Sequence, residues 1–299
     1  MARKREVSQG TMLSEINQTH DVRRPLLEKL ESTLNRNILT FFTSTRRGTA
    51  IQNPDNDMIE GMAQSMPKGK GLTLVLSSLG GDPLEAERIV NTCRAYAEED
   101  FEVIVPRLAK SAATMVCFGA QRIHMSKTSE LGPIDPQIPV ARRDGTYQLR
   151  GAYYLIKAYE ELFERATKSQ DPRIEPYLQQ LERFDEGDIV AWKEVVRLSG
   201  DIAVKLLLSG MLKDKGDDES AVMKRIEPFT NPEQKKTHGR PIYVQEVKNC
   251  GLVVEEIGLE TDLWALVWNL YLRSDWIVNS PANTVTKLCE SVRDSYYSN

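Results

Sequence analysis

Apolar positions follow two rhythms along this chain, and the change falls near residue 150. Before it, short unbroken apolar runs alternate with stretches of helical period. The segments 37–44 (NILTFFTS), 72–78 (LTLVLSS), 101–106 (FEVIVP) and 121–126 (QRIHMS) are short and rich in strand formers, the signature of strands buried on both faces. Leu26, Leu27, Leu30 and Leu34 share one side of a helix. Asn and Asp before the periodic stretch of 53–66 signal a second helix. Asp82 with Pro83 opens a third over 82–99, and 111–120 (SAATMVCFGA) reads as a short fourth. Strand–helix alternation of this kind predicts an α/β fold with a mainly parallel sheet covered on both faces.

Beyond 150 the period becomes helical. Residues 151–169, 173–184, 187–213 and 218–229 read as helices separated by polar breaks. A turn, a short helix ended by Gly251 and a final strand follow, then a last amphipathic helix over 261–276. Asp144-Gly145 between strand-like arms predicts a hairpin over 140–149. The organisation expected is a flexible arm over 1–24 and one domain over 25–275, mainly helical from 150 to 230. A polar tail over 276–299 completes it.

Composition narrows the function classes. A chain of 299 residues, 40% apolar and 27% charged, can bury a full core. Its net charge of −4 argues against a dominant nucleic-acid surface. Four scattered cysteines without a CxxC pair indicate reduced thiols in a cytoplasmic setting, neither a disulfide framework nor a zinc site. Three histidines lie too far apart in sequence to suggest a metal cluster. Neither a run long enough to span a membrane nor an apolar secretory segment is expected.

Two loops fall at the carboxyl ends of adjacent expected strands, where open α/β sheets carry their sites. One is Leu79-Gly80-Gly81-Asp82, whose glycines let the backbone come close to a ligand with unshielded amides. The other is Lys110-Ser111-Ala112-Ala113, which sets a hydroxyl at the first turn of a helix beside the Ala112 amide. A hydroxyl nucleophile with two backbone donors is the equipment of acyl transfer. Each loop also has a plainer reading, tight packing for the glycines and an N-cap for the serine.

Together, the stretches LTLVLSSLGGDPLEAERIV, VIVPRLAKSAATMVCFGAQRIHMSKTSELGPIDPQI and THGRPIYVQEVKNCGLVV resemble the serine dehydrogenase proteinase family, relatives of signal peptide peptidase A and the Clp protease proteolytic subunit. The resemblance runs from about residue 25 to 275, with SELGPIDPQ its most specific stretch. It implies a Clp/crotonase-like fold of stacked ββα units with a helical C-terminal portion, and a cofactor-free serine peptidase acting on protein or peptide substrates. It also implies a homo-oligomer, Ser111 as nucleophile, and oxyanion amides from the Gly80–Gly81 loop and Ala112, with Gly81 the glycine assigned. Ser78-Leu79-Gly80-Gly81 departs from the family's Thr-Pro-Gly-Gly, and Ala113 stands where a glycine is usual.

The general base is the open position. The Clp-type histidine has no counterpart, because the matching segment is Ile134-Asp135-Pro136. His124 lies in an apolar strand and reads as a packed, structural residue. A lysine held near neutrality can replace histidine. The candidates are Lys213, in a Gly-x-x-Lys-Asp string, and Lys157, near the start of a helix. Lys110, Asp135 and His238 are kept as site-lining residues, with 132–137 read as a rigid loop shaping a groove or an oligomer contact. The alternatives are a scaffold or binding protein of the same fold that has lost its base, and crotonase-type chemistry on an acyl-coenzyme A thioester.

Overall fold

The computed structural model describes residues 19–46, 48–142, 144–168, 174–235 and 237–298. Most of the arm expected over 1–24 lies outside them. Helix α1 (His20–Leu34) begins inside that expected arm and leads to β1 (Asn37–Thr43), α2 (Pro54–Gln64), β2 (Leu72–Ser77), α3 (Pro83–Tyr96) and β3 (Phe101–Val105). Then come β4 (Leu108–Ala109), α4 (Ala112–Phe118), β5 (Arg122–Met125), β6 (Glu130–Leu131) and the hairpin β7 (Gln137–Ala141) and β8 (Tyr147–Gly151). The helical portion comprises α5 (Ala152–Lys168), α6 (Glu175–Leu181), α7 (Glu186–Ser209), α8 (Glu219–Arg225), α9 (Glu227–Thr230) and α10 (Pro232–Lys235). The chain closes with β9 (Ile242–Tyr243), α11 (Val244–Asn249), β10 (Val254–Glu256), α12 (Asp262–Asn279), β11 (Lys287–Glu290) and β12 (Ser295–Ser298).

The fold is α/β. Its main sheet runs β10-β5-β3-β2-β1-β11-β12, parallel from β10 to β1 and antiparallel beyond. Every residue of β1 and β2 is buried, which is why these strands read as continuous apolar runs. Successive side chains go to opposite layers. Leu39, Phe41, Leu74, Leu76 and Val103 meet the core shared with α2, α3, α4 and α7. Ile38, Phe42, Val75 and Ile104 meet the core formed with α1 and α12. Each fully buried side chain of this size contributes about 1.5–3 kcal/mol, so the two layers hold the central strands from both sides.

A second sheet is small and was not legible beforehand: β4-β6-β9, with β4 parallel and β9 antiparallel to β6. Isolated bridges join it to the main sheet at Ser78–Ala109 and tie Ile51 to Gly81.

Two expectations need correction. The helix expected over 218–229 breaks at Ile226, because Pro228 can start a helix but not continue one. The expected polar tail instead extends the main sheet. Helix α12 runs on to Asn279, and 287–298 form β11 and β12. Their charged residues are buried against partners far away in sequence, Lys287 on Asp55 at 2.7 Å and Glu290 on Arg23 at 2.6 Å. Among the described residues no helix is long and apolar enough to cross a membrane, and no group of metal-ligating side chains forms a cluster.

Candidate active site

Strand β2 ends at Ser77, and the chain then passes through Ser78, Leu79 and the two glycines into α3. Asp82 caps that helix by accepting the Leu84 N–H at 2.8 Å, with Pro83 at the first turn. Gly80 has φ +93°, and a Cβ there would lie 2.3 Å from the Lys110 carbonyl oxygen and 2.8 Å from both Ala112 N and Ser111 Cβ. The loop therefore lies directly against the serine turn. Only a residue without a side chain permits this approach.

On its other side the loop is anchored to Ile51. The Ile51 N–H donates to Gly80 O at 2.8 Å, and Ile51 O accepts the Asp82 N–H at 2.9 Å. A Cβ on Gly81 would sit 2.2 Å from Ile51 O. In an extended segment successive peptide groups point to opposite sides. With Gly80 O and the Asp82 N–H aimed at Ile51, the Gly81 N–H is turned away from it. The Gly80 N–H is taken by Ser78 Oγ at 3.1 Å. Among the described residues, neither the Gly81 N–H nor the Ala112 N–H has a partner. Of the two glycines named as oxyanion donors, Gly81 is free and Gly80 is not.

Ser111 lies between β4 and α4 with φ +48° and ψ −121°, a conformation that costs a non-glycine residue about 1–3 kcal/mol. It is half-buried, and its hydroxyl makes no capping bond to α4. The N-cap reading thus fails. Strand, strained serine and helix follow one another as in a nucleophile elbow. Thr114, buried in the first turn of α4, ties the turn in place. Its Oγ1 lies 2.8 Å from Ala109 O and 2.9 Å from Gly132 O, and it accepts the Gly132 N–H at 3.2 Å.

Gly132 begins the loop that carries Asp135. The β6–β9 register pairs Leu131 with Ile242, and continuing it past β6 brings Asp135 opposite His238. His238 Nδ1 and Asp135 Oδ1 are 2.7 Å apart. Asp135 is buried and also accepts Gln137 Nε2 at 3.0 Å, while His238 is partly exposed. The β4–β6 register places Ser111, two residues past Ala109, at this same end of the small sheet. A cavity of about 340 Å³ opens beside the pair, lined by Ile134, Asp135, Pro136, Tyr153, Gly200 and Met223 among others.

The lysines are not gathered here. Lys157 lies on the surface of α5 in an ion pair with Glu233. Its hydrogen bond to the Glu233 carboxylate raises its pKa, which keeps it protonated. Lys213 is exposed on the turn after α7. Lys110 is buried but turned onto β6, its Nζ 2.8 Å from Glu130 Oε1 and 3.1 Å from Leu131 O. Its stem crosses Gly132, where a Cβ would lie 2.3 Å from Lys110 Cδ. His124 bridges Glu102 at 2.7 Å within the main sheet, far along the strands from the glycine loop.

Residues 47–144 match the model of the ClpP-like SDH-type serine proteinases. The likeness to that family holds across this span, which contains the glycine loop, Ser111 and Asp135. The match points to serine proteinase chemistry in general. Two uncharacterized proteins of Methanocaldococcus jannaschii are also similar. One is 31% identical over 207 residues, 67% of this chain and 59% of its own length. The other is 25% identical over 202 residues, 67% of this chain and 57% of its own length. The chain thus spans less than two thirds of these relatives. Among solved structures, a mutant of the 1510-N membrane-bound stomatin-specific protease in complex with a substrate peptide aligns with 80% of this chain and 98% of its own, at 13% identity and a TM-score of 0.29.

Proposed function

We propose that this chain is a serine peptidase in which Ser111 is the nucleophile and His238, oriented by Asp135, is the general base. The observation that carries the reading is the 2.7 Å His238–Asp135 pair at the end of the small sheet where Ser111 stands. With Nδ1–H donated to Asp135, the imidazole keeps Nε2 as an acceptor. Strands β4 and β9 flank β6, so their backbones are separated by about 10 Å. The combined reach of a serine hydroxymethyl, an imidazole and one hydrogen bond is of that same order.

In this reading His238 Nε2 takes the Ser111 hydroxyl proton as Oγ attacks the peptide carbonyl carbon. The oxyanion receives the N–H groups of Gly81 and Ala112. Collapse of the tetrahedral intermediate breaks the C–N bond, and His238 returns the proton to the leaving amine. Water then repeats the sequence on the acyl-enzyme, freeing the carboxylic acid and restoring Ser111. One such donor is worth about 3–4 kcal/mol of transition-state stabilisation. The cavity beside Asp135 presents mostly apolar surface, with Arg197 and Asp201 also on its wall, and in this reading takes a substrate side chain.

A lysine base is the weaker alternative, since Lys157 is neutralised by Glu233 and Lys213 faces solvent. The same reading includes a reducing, cytoplasmic setting, supported by four buried free thiols, and a homo-oligomer. Exposed Phe163, Leu178 and Val190 on the helical portion support the latter.

The test is labelling with a fluorophosphonate, mapped by mass spectrometry, alongside peptidase assays. Ser111→Ala is expected to abolish both, and His238→Ala to reduce turnover by about 10³-fold or more. Undiminished cleavage by Ser111→Ala ends the proposal. Loss on replacing Lys157 or Lys213, with His238→Ala fully active, transfers the base to a lysine.

A further inference from the structure

We infer that Ser78 is a positioning residue for the oxyanion site, acting with Thr43 to decide which amide of the glycine loop faces the substrate. The inference rests on the proposed reading of Ser111 and goes beyond it, since Ser78 touches neither substrate nor nucleophile. Its side chain is fully buried between the end of β1 and the glycine loop. Ser78 Oγ accepts two hydrogen bonds, from Thr43 Oγ1 at 2.8 Å and from the Gly80 N–H at 3.1 Å. Its backbone is fixed as well. The Ser78 N–H donates to Leu108 O at 3.2 Å, and Ser78 O accepts the Lys110 N–H at 3.0 Å, one residue before Ser111.

The consequence follows from counting donors. Three consecutive amides leave the loop, at Gly80, Gly81 and Asp82. Ser78 Oγ removes the first, Ile51 O removes the third, and the second alone is left free. Both restraints are needed. Ile51 holds the Gly80–Gly81 peptide through Gly80 O and the Gly81–Asp82 peptide through the Asp82 N–H, and leaves the Leu79–Gly80 peptide to Ser78. Without that acceptor the buried Gly80 N–H is unpaired, and rotation at a glycine that populates either sign of φ would shift Gly80 and the Gly81 N–H attached to it. Thr43, at the carboxyl end of β1 and itself buried, orients the Ser78 hydroxyl so that its lone pair meets Gly80. A rigid β1–β2 pair thereby sets the geometry of a flexible dipeptide. The same bond makes Gly80 structural and leaves the chemistry to Gly81.

The experiment measures steady-state peptidase kinetics and the rate of fluorophosphonate labelling for the wild type, Ser78→Ala, Ser78→Thr and Thr43→Val. Near-UV circular dichroism follows folding. If Ser78 positions the donor, Ser78→Ala lowers kcat and the labelling rate by about tenfold or more, short of the 10²–10³ expected when a donor is removed outright. KM stays within about twofold, because ground-state binding is untouched. The pH profile keeps its shape, since the base is unaltered. Ser78→Thr restores the hydroxyl and most of the rate, and Thr43→Val gives a smaller fall in the same parameter. A Ser78→Ala enzyme with wild-type kcat overturns the inference. So does a loss that Ser78→Thr shares equally, or one that matches the loss of near-UV signal in every variant. If Ser111→Ala remains active, the reading of the site fails instead, whatever Ser78→Ala does.

Discussion

Gly80→Ala tests whether the glycine loop is truly pressed against the Ser111 turn. The added Cβ would lie 2.3 Å from the Lys110 carbonyl oxygen and 2.8 Å from Ala112 N, so backbone must give way by nearly 1 Å. The left-handed backbone at φ +93° adds about 1–2 kcal/mol for any residue with a Cβ. Overpacking a fixed site adds about 1–3 kcal/mol. The sum is about 2–5 kcal/mol. Gly216 provides the control, since its φ is +71° and nothing lies within 4 Å of its would-be Cβ. Gly216→Ala should therefore cost only the conformational part, about 1–2 kcal/mol. Urea unfolding followed by tryptophan fluorescence separates the two by their midpoints at constant slope. Since misplacement of reacting groups by about 1 Å can cost 10²-fold in rate, labelling of Ser111 should also collapse in Gly80→Ala alone. Equal destabilisation by the two substitutions, with labelling intact in both, refutes the packing described for the loop.

The other expectations draw on different parts of the fold. Lys287→Met leaves Asp55 buried without its cation and should cost about 3–5 kcal/mol in urea unfolding, whereas adding Asp55→Leu should recover much of that loss. A double variant no more stable than the single one refutes this account of β11. Burial pushes the Cys93 thiol up to about 12 and raises those of Cys117 and Cys289 as well, so none of the three should react with a thiol reagent until the protein unfolds. Burial alone would raise the Glu102 carboxyl, but the His124 hydrogen bond and the nearby Arg36 outweigh it and hold its pKa below the ordinary value. Its stabilising contribution should be complete above the unfolded pKa and vanish as pH falls through the lower folded value. Glu102→Gln should remove that acid-side slope, measured as the difference in unfolding free energy against pH.

How the chain could be read in advance depended on the range of each interaction. The central strands were legible because β1 and β2 are buried along their whole length and β3 and β5 along most of theirs, and continuous burial writes continuous apolar runs. The helix start at Asp82 was legible because local capping chemistry places such a residue there. The two candidate loops followed from their order in the sequence, and the resemblance named Gly81, but the physical choice of Gly81 over Gly80 was not legible. That choice depends on Ser78 and Ile51, whose bonds to the loop exist only once β1, β2 and β4 are side by side.

Where interactions are long-range, pattern carried no information. The strands β4, β6 and β9 are two residues each, too short for any period, yet their register brings Asp135 and His238 together across 103 positions. Lysine was the expected base because the segment matching the Clp-type histidine is Ile134-Asp135-Pro136 and His124 reads as a packed strand residue. The carboxyl-terminal strands looked like a tail because Lys287 and Glu290 are charged, and charged residues rarely lie in a core. They lie there because Asp55 and Arg23 neutralise them from the other end of the chain. The sequence by itself determined the alternating layers and the two loops, since these follow from burial and backbone preference within a few residues. Tertiary structure alone decided which amide is free, which imidazole–carboxylate pair stands at the Ser111 end of the small sheet and where the main sheet ends, since each depends on partners that only the finished fold makes neighbours.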